Sequence, residues 1–368
     1  MKKQAVIVVI ILSVLPFVLL IPKGQMAAMA QLQRWQVMSK PSPPIPEGPR
    51  SDVCKMFTYT RYFIATNYSE FKELGKIAQP GDMIELLPGK YSPIYAHEER
   101  VNNKTGKCRW PRTATDGAIY ALHGAPGKLI TFCGTPGKTV IDGTPLQSSG
   151  AGILVVKSSY VRVAGFTVTN VLRGMDIQHT TNSEFLYITT SHTWHEGVRI
   201  RYHSSNNLLQ YCNIQHTGKG YVGNGEGVYV GTASGQTVLC DNPKDETNYN
   251  IIRDNVFGPN VPSENVDVKE YTTGGQIINN TFDGKYMMGI HASISWVVLK
   301  GTNYTVANNT GYSLNVPGGG IRIVKRGPQQ ASYNTVTNNT CYGLIEDSFC
   351  VFVDPSTKGE YFGIGLAS

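Results

Sequence analysis

Charged residues are scarce in this sequence: they make up 16% of its 368 residues, whereas glycine alone occurs 39 times. Few charges, many glycines and asparagines, and only short apolar runs favour an all-β protein with many turns. The seven cysteines include no Cys-x-x-Cys pair, which argues against a zinc ribbon.

The N-terminal 50 residues differ from the rest. Two lysines precede an apolar run over residues 5–21, and small residues follow at 28–30. This order predicts a secretory signal peptide over residues 1–30, with an uncleaved signal anchor as the alternative. Residues 31–50, Pro-rich from 40 onward, are expected to form a linker, and residues 51–368 to form one domain. Removing residues 1–30 leaves a positive net charge, which suits an acidic partner.

In a secreted protein, seven cysteines predict disulfides and one unpaired thiol. Cys341–Cys350 and Cys212–Cys240 are the pairs that proximity in sequence favours, although sequence alone leaves the connectivity open. Asn-x-Ser/Thr sequons occur at Asn67, Asn103, Asn279, Asn303, Asn308 and Asn338. Asn67 and Asn103 are the better candidates for glycosylation, because the others lie within a repeat.

A short strand pattern recurs seven times. Each copy begins with Gly or Asn and then mostly alternates apolar and variable residues, at 152–156, 174–178, 197–201, 227–231, 265–269, 289–293 and 320–324. A period of two indicates a strand with one buried face. The copies are too close together for separate domains, and this spacing is typical of a β-solenoid. A helix predicted over residues 68–78, with Phe71, Leu74 and Ile77 on one face and Ser69 as its N-cap, would cover the first coil.

A second repeat places asparagines in one column. Aligning its copies predicts a ladder of stacked amides formed by Asn213, Asn255, Asn280, Asn309 and Asn339. The sequons at Asn279, Asn308 and Asn338 are then by-products of this ladder.

The strand repeat also predicts which side chains share the outer face of the solenoid, because alternate residues point outward. The first outward column is Leu154, Asp176, Arg199, Tyr229, Asp267, His291 and Arg322. The second is Val156, Gln178, Arg201, Gly231, Lys269, Ser293 and Val324. The residues before each copy form a third column of Arg173, Glu196, Glu226, Glu264 and Met288. Crowded charges on four or five rungs favour a functional site over a solvated face.

Several motifs resemble the pectate-lyase-like superfamily of secreted right-handed parallel β-helix proteins. They are PGDMIELLPGKY at 80–91, then VIDG at 140–143, YVRVAGFTVTN at 160–170 and GMDI at 174–177, with a further similar segment at 258–284. The resemblance covers roughly residues 68–350 and implies a right-handed parallel β-helix with an N-terminal capping helix. The superfamily contains lyases, hydrolases and non-catalytic proteins, so its fold alone does not give an activity.

The lyases of this superfamily imply roles for individual residues. Lys269 would remove the proton α to a uronate carboxylate, and Tyr229 or His291 would protonate the leaving oxygen. The uronate carboxylate would be neutralised by Arg199, Arg201 or Arg322. Ca²⁺ would be held by the carboxylates of Glu196, Glu226, Glu264 and Asp267. Substrate contacts are expected from Asp176, Trp194 and Tyr202.

Each of these roles has a structural alternative. Lys269 can form an ion pair with Asp267 or Glu270, and arginines can neutralise the glutamates without a metal. Chondroitin lyase B-like enzymes carry an Arg one rung after the Lys, where this alignment places Ser293, and the polygalacturonase motifs are not present as a set. Five histidines occur between residues 179 and 216, and their spacing favours turns over a metal site.

The sequence therefore predicts a secreted, monomeric polysaccharide lyase that acts on an acidic polysaccharide by β-elimination. Nucleic-acid binding is not expected, and neither is membrane contact after signal cleavage. A glycoside hydrolase using Glu226 and Glu264, and a non-catalytic glycan-binding protein, are the alternatives.

Overall fold

The computed structural model describes residues 53–92, 100–101, 108–109, 118–144, 150–234, 244–290, 294–312, 318–326, 331–344, 349–355, 357, 359–361 and 364–366. The predicted signal peptide and linker, His291, Ser293 and Cys240 lie outside these ranges. Within the described ranges, no helix has the length and apolar character needed to cross a membrane.

The chain forms a right-handed parallel β-helix in which each coil contributes one strand to each of three parallel sheets. Sheet A consists of Arg61–Ala65, Asp82–Leu86, Ile130–Cys133, Val161–Ala164, Glu184–Leu186, Leu208–Gln210, Ile251–Arg253, Gln276–Ile278, Thr305–Ala307, Asn334–Thr337 and Gly359–Tyr361. Sheet B consists of Gly89–Tyr91, Thr139–Asp142, Thr167–Thr169, Thr189–Ser191, Asn213–Ile214, Val256–Phe257, Thr281–Asp283, Thr310–Tyr312, Asn339–Tyr342 and Ile364–Leu366.

Sheet C carries the strand repeat found in the sequence. Its strands are Ala118–Tyr120, Ala151–Val156, Arg173–Gln178, Val198–Arg201, Val228–Val230, Val266–Val268, Val297–Leu299, Gly319–Ile323 and Phe349–Val353. Arg100–Val101 and Cys108–Arg109 form a separate antiparallel pair, and Val53–Met56 and Val222–Asn224 are 3₁₀ turns. The predicted solenoid is confirmed.

The core is the inside of the coils, where apolar side chains stack from rung to rung. In sheet A one inward column consists of Phe132, Val163, Phe185, Leu209, Ile252, Ile277, Val306 and Val336. All of these side chains are at most 2% exposed. β-Branched and aromatic residues predominate in this column because they pack well on a pleated surface.

Helix α1, Tyr68–Lys76, covers the first coil as predicted, but its details differ. Phe71 is buried and makes edge-to-face contacts with Phe132 and Phe166. The N-cap is Asn67, whose side chain accepts a hydrogen bond from the backbone of Glu70, so the assignment of Ser69 was wrong. Ile77 is 65% exposed because it follows the last helical turn.

The asparagine ladder is present, with one member misassigned. Asn255, Asn280, Asn309 and Asn339 are buried, and each of the last three accepts hydrogen bonds from the side chain and backbone of the preceding member. Asn213 is not part of it: the backbone of Cys212 donates to Asn255, and Asn213 pairs with Val256 on the outer face.

The disulfides are Cys54–Cys133 and Cys341–Cys350 among the described residues. The second was predicted. Cys212 is a free buried thiol that donates to the carbonyls of Phe185 and Gln210, so its predicted pairing with Cys240 was wrong. Burial raises the pKa of Cys212 to about 12.

The register of sheet C corrects one rung of the alignment. The strand Val297–Leu299, not the copy at 289–293, pairs with Val266–Val268. Trp296 precedes this strand where most other copies have glycine, and its indole occupies the space above Gly311 and Gly320. A Cβ atom on Gly311 would lie 2.1 Å from that ring. The copy at 289–293 has the Gly-plus-alternation pattern of the repeat, but the packing of Trp296 places Val297–Leu299 in the sheet instead.

Candidate functional site

The outer face of sheet C carries three columns of side chains, with adjacent rungs about 4.8 Å apart. The central column is Leu154, Asp176, Arg199, Tyr229, Asp267, Val298, Arg322 and Phe352. The lysine column is Val156, Gln178, Arg201, Gly231, Lys269, Lys300 and Val324. The glutamate column, at the start of the strands, is Arg173, Glu196, Glu226 and Glu264. Val298 and Lys300 therefore occupy the rung that the sequence alignment gave to His291 and Ser293.

This face is buried although it is charged. Asp176, Arg199, Asp267 and Lys300 are at most 4% exposed, and Tyr229 is 7% exposed. Charged groups withdrawn from water require partners, and a face of this kind concentrates electrostatic fields.

Two arginine–carboxylate pairs occupy the first rungs. Arg199 binds Asp176 through two nitrogens, with Nη2–Oδ2 at 2.5 Å and Nε–Oδ1 at 3.2 Å. Arg173 Nε lies 2.7 Å from Glu196 Oε2. Burial alone would raise the pKa of Glu196, but the guanidiniums of Arg173 and Arg199 lower it below its ordinary value. The expected neutralisation of glutamates by arginines is thus present for Glu196.

Asp267 is the centre of a two-lysine clamp, defined by Lys269, Asp267 and Lys300. Lys269 Nζ bonds one carboxylate oxygen, and Lys300 Nζ lies 2.5 Å from the other. Burial raises the pKa of Asp267, but the two ammonium groups outweigh it and lower the pKa to about 2. The structural alternative for Lys269, an ion pair with Asp267, is therefore present. Lys300 was not predicted as a site residue, because its strand lacks the glycine that starts most copies.

Lys269 also contacts Tyr229, with Nζ 4.4 Å from the centroid of the ring. Burial would lower the pKa of Lys269, but the Asp267 carboxylate raises it above its ordinary value. Burial raises the pKa of Tyr229 to about 12, despite the opposing charge of Lys269. Both side chains hold their protons at neutral pH.

Asp267 of the clamp also lies close to two further carboxylates, those of Glu226 and Glu264. One oxygen each from Glu226, Glu264 and Asp267 lies within 4.8 Å of the others. Glu226 Oε2 is buried and has no hydrogen-bond partner among the residues that the structure describes. Burial and the carboxylates of Glu196, Glu264 and Asp267 raise the pKa of Glu226 well above its ordinary value. This triad can hold a metal ion, and the orphaned oxygen and oxygen-only donors suit a hard cation.

The remaining predicted residues lie around this centre. Arg201 lies two rungs before Lys269, with Gly231 between them, and Arg322 lies two rungs beyond. The guanidinium of Arg201 is over the Tyr202 ring, and that of Arg322 is over the Phe352 ring.

The predicted aromatic contacts differ in their exposure. Tyr202 is only 3% exposed and stacks on His179, whereas Trp194 is partly exposed and lies against Lys219. His179, His192, His203 and His216 have left-handed backbone, as expected for turn residues.

The fold that carries this face, a right-handed parallel β-helix, is shared with solved structures of other proteins. No family model matches the sequence, and no match was found among curated proteins. Solved structures do match. The alginate lyase from Paenibacillus sp. str. FPU-7 is 24% identical, with a TM-score of 0.70 over 83% of this chain and 94% of the lyase.

Two further structures are more distant. A mannuronic acid specific lyase of polysaccharide family 6 from human gut microbiota is 16% identical, with a TM-score of 0.50 over 80% of this chain and 66% of that one. A lacto-N-biosidase from Eubacterium ramulus is 9% identical, with a TM-score of 0.50 over 83% of this chain and 68% of that one. These likenesses concern the fold, which both lyases and a glycosidase use.

Proposed function

We propose that this protein is a secreted polysaccharide lyase that cleaves a uronate-containing polysaccharide by β-elimination. The observation that carries the proposal is the contact of Lys269 with Tyr229, between rungs that bear Arg201 and Lys300. A lysine and a tyrosine, two residue types that can transfer protons, thus lie beside further cations on one face. The likeness to an alginate lyase along 94% of its length agrees with it. Two disulfides are consistent with an extracellular location.

Each side chain has a proposed role in the reaction. Deprotonated Lys269 takes the proton from the carbon α to the uronate carboxylate, a C=C bond forms, and the glycosidic C–O bond breaks. Tyr229, which keeps its phenolic proton at neutral pH, gives it to the leaving oxygen. Because Asp267 stabilises the Lys269 ammonium, Lys269 must lose its proton before it acts.

Cations on the same face would bind the substrate. In this proposal Arg201 and Lys300 neutralise the uronate carboxylate, which makes its α proton more acidic. Arg322, two rungs from Lys269, and Trp194 are proposed to contact sugars further along the polymer, whereas buried Arg199 and Asp176 hold each other in place. Tyr202 supports Arg201, and Glu196 is paired with Arg173. His291 remains an alternative proton donor by sequence.

A calcium ion fits the carboxylate triad in its donor chemistry. Glu226, Glu264 and Asp267 would hold it, although Asp267 would have to loosen its bond to one lysine. Bound there, Ca²⁺ would supply positive charge that stabilises the substrate carboxylate.

The test is incubation of the purified protein with alginate, pectate and other uronate polymers, with and without Ca²⁺. Unsaturated ends absorbing in the near ultraviolet are expected for the wild type and for Lys128→Ala, an exposed surface control. They should be absent for Lys269→Ala. No absorbance from folded wild-type protein over the whole panel would overturn the proposal.

A glycoside hydrolase is the second candidate, because the Glu226 and Glu264 oxygens lie within 4.8 Å. The raised pKa of Glu226 suits a general acid, and retaining glycosidases separate their carboxyl groups by about 5 Å. New reducing ends without near-ultraviolet absorbance would select this activity. Binding of glycans without turnover would instead select a non-catalytic protein.

A further inference from the structure

Asp245 lies between the sheet C strand Val228–Val230 and the sheet A strand Ile251–Arg253. The proposed reaction does not use it. It is 1% exposed, yet its carboxylate accepts four hydrogen bonds. The backbone nitrogens of Tyr202 and His203 donate at 2.9 Å each, and the hydroxyls of Thr232 and Thr247 donate at 2.6 Å each. Only an ionised carboxylate can accept from four donors at two oxygens, so an amide here would leave donors unsatisfied.

One of these donors connects Asp245 to Arg201. Arg201 Nε donates to Thr232 Oγ1 at 3.1 Å, and the same hydroxyl donates to Asp245 Oδ2. Thr232 is 3% exposed. Donation to the Asp245 carboxylate polarises the Thr232 hydroxyl, so its oxygen becomes a stronger acceptor for Arg201. The bond also fixes the direction of the Arg201 Nε–H group.

The backbone nitrogens of Tyr202 and His203, which donate to Asp245, fix the turn that carries the Tyr202 ring against Arg201. Tyr202 and His203 both have left-handed backbone, with φ of 54° and 59°. Two consecutive left-handed residues that are not glycine cost about 1–2 kcal/mol each, and such strain persists only where other contacts impose it. Asp245 supplies those contacts, and the resulting turn places the Tyr202 ring 4.5 Å from the Arg201 guanidinium.

We propose that Asp245 is the positioning residue of Arg201, acting through the Thr232 hydroxyl and through the Tyr202–His203 turn, so that the guanidinium is preset to receive a uronate carboxylate. The role in substrate binding rests on the proposed function. The tether, meaning the Arg201–Thr232–Asp245 chain of hydrogen bonds, does not depend on it. A guanidinium held from two sides loses little rotamer entropy when it binds an anion.

The chain offers a matched pair of variants. Thr232→Val removes the hydroxyl that joins Arg201 to Asp245, and Thr247→Val removes an equivalent bond to Asp245 that does not reach Arg201. In protein labelled with ¹⁵N-arginine, the Arg201 Nε–H resonance, assigned with Arg201→Lys, should exchange with water at least about tenfold faster in Thr232→Val. Exchange should be unchanged in Thr247→Val and restored in Thr232→Ser. Equal effects of the two valine variants would overturn the tether, whether or not the protein is a lyase.

Kinetics test the functional half. With the polymer that the wild type cleaves, Thr232→Val should raise KM about tenfold and leave kcat within about twofold, since an unrestrained Arg201 must be ordered when substrate binds and this cost is the same in the ground-state and transition-state complexes. Thr232→Ser should restore KM. A purely structural role predicts equal losses for both valine variants, and that result would overturn positioning. If wild-type protein yields no product, the proposed function fails, and the exchange experiment still decides the tether.

Discussion

Asp267 shows how a buried charge can organise a site at the scale of single residues. It accepts from two lysines on adjacent rungs, and Lys269 in turn lies against Tyr229. Removing one partner of a buried ion pair costs more than the pair contributes, because the other charge remains desolvated. We therefore expect Lys300 to fix the position of Lys269 through Asp267.

Lys300→Met tests this arrangement. We expect the rate of product formation to fall at least about tenfold, because Asp267 and Lys269 lose their fixed geometry, and stability to fall by about 3 kcal/mol. Rates measured below the melting temperature, together with urea unfolding, separate the two effects. Lys325→Met, on the exposed side chain of a neighbouring rung, is the control and should change neither. An unchanged rate in Lys300→Met would contradict the clamp.

Asp142 gives a prediction for acid stability. Burial raises its pKa, but Lys90, Thr144 and Asn170 outweigh burial and lower the pKa from 3.8 to about 2. A depressed carboxyl pKa stabilises the fold above the unfolded value, so this contribution is complete above pH 4 and is lost as the pH falls from about 4 to 2. Lys90 is 69% exposed, so water screens its share.

Asp142→Asn should therefore reduce the free energy of unfolding by about 1–2 kcal/mol at pH 7 and by little near pH 2. Urea titrations at the two pH values measure this difference. Asp283→Asn, in the same outward column of sheet B but without ion pairing among the described residues, should lack the pH-dependent loss. Equal losses at both pH values would refute the role of Asp142.

At the scale of elements, the asparagine ladder joins successive coils at the bend between sheets A and B. Within the ladder, Asn309 donates to the next amide, Asn339, and to the carbonyl of Ile277 one rung back. The ladder satisfies polar groups that the turn leaves buried, so each amide is part of a cooperative chain.

Asn309→Ala should lower the free energy of unfolding by about 1–3 kcal/mol, because it leaves buried partners unsatisfied. Asn308→Gly is the matched control: Asn308 is exposed, and glycine tolerates its φ of 56°. Thermal unfolding of both variants measures the effect, and a smaller loss in Asn309→Ala than in Asn308→Gly would be the opposite of this expectation.

At the scale of the whole molecule, the two disulfides restrain very different lengths of chain. Cys54–Cys133 closes a separation of 79 residues and ties the segment before α1 to sheet A, whereas Cys341–Cys350 closes 9 residues. A crosslink restricts the unfolded chain more when its loop is longer.

Replacing both cysteines of Cys54–Cys133 by serine should therefore destabilise the protein by about 2 kcal/mol more than the same change at Cys341–Cys350. Denaturant titration under non-reducing conditions of the two double variants gives this difference. A larger loss at Cys341–Cys350 would mean that packing at that site outweighs loop entropy.

The sequence by itself determined the solenoid, the face that carries charge and most residues of that face. Strand periodicity and glycine starts are local properties, repeated in each coil, and stacking makes them a map of neighbours. The tertiary structure alone decided the rung of Lys300, because the bulk of Trp296 filling the space over Gly311 and Gly320, rather than a local pattern, selects that strand. It also decided the Cys54–Cys133 pair and the tether of Arg201 to Asp245, since both join segments that no repeat relates.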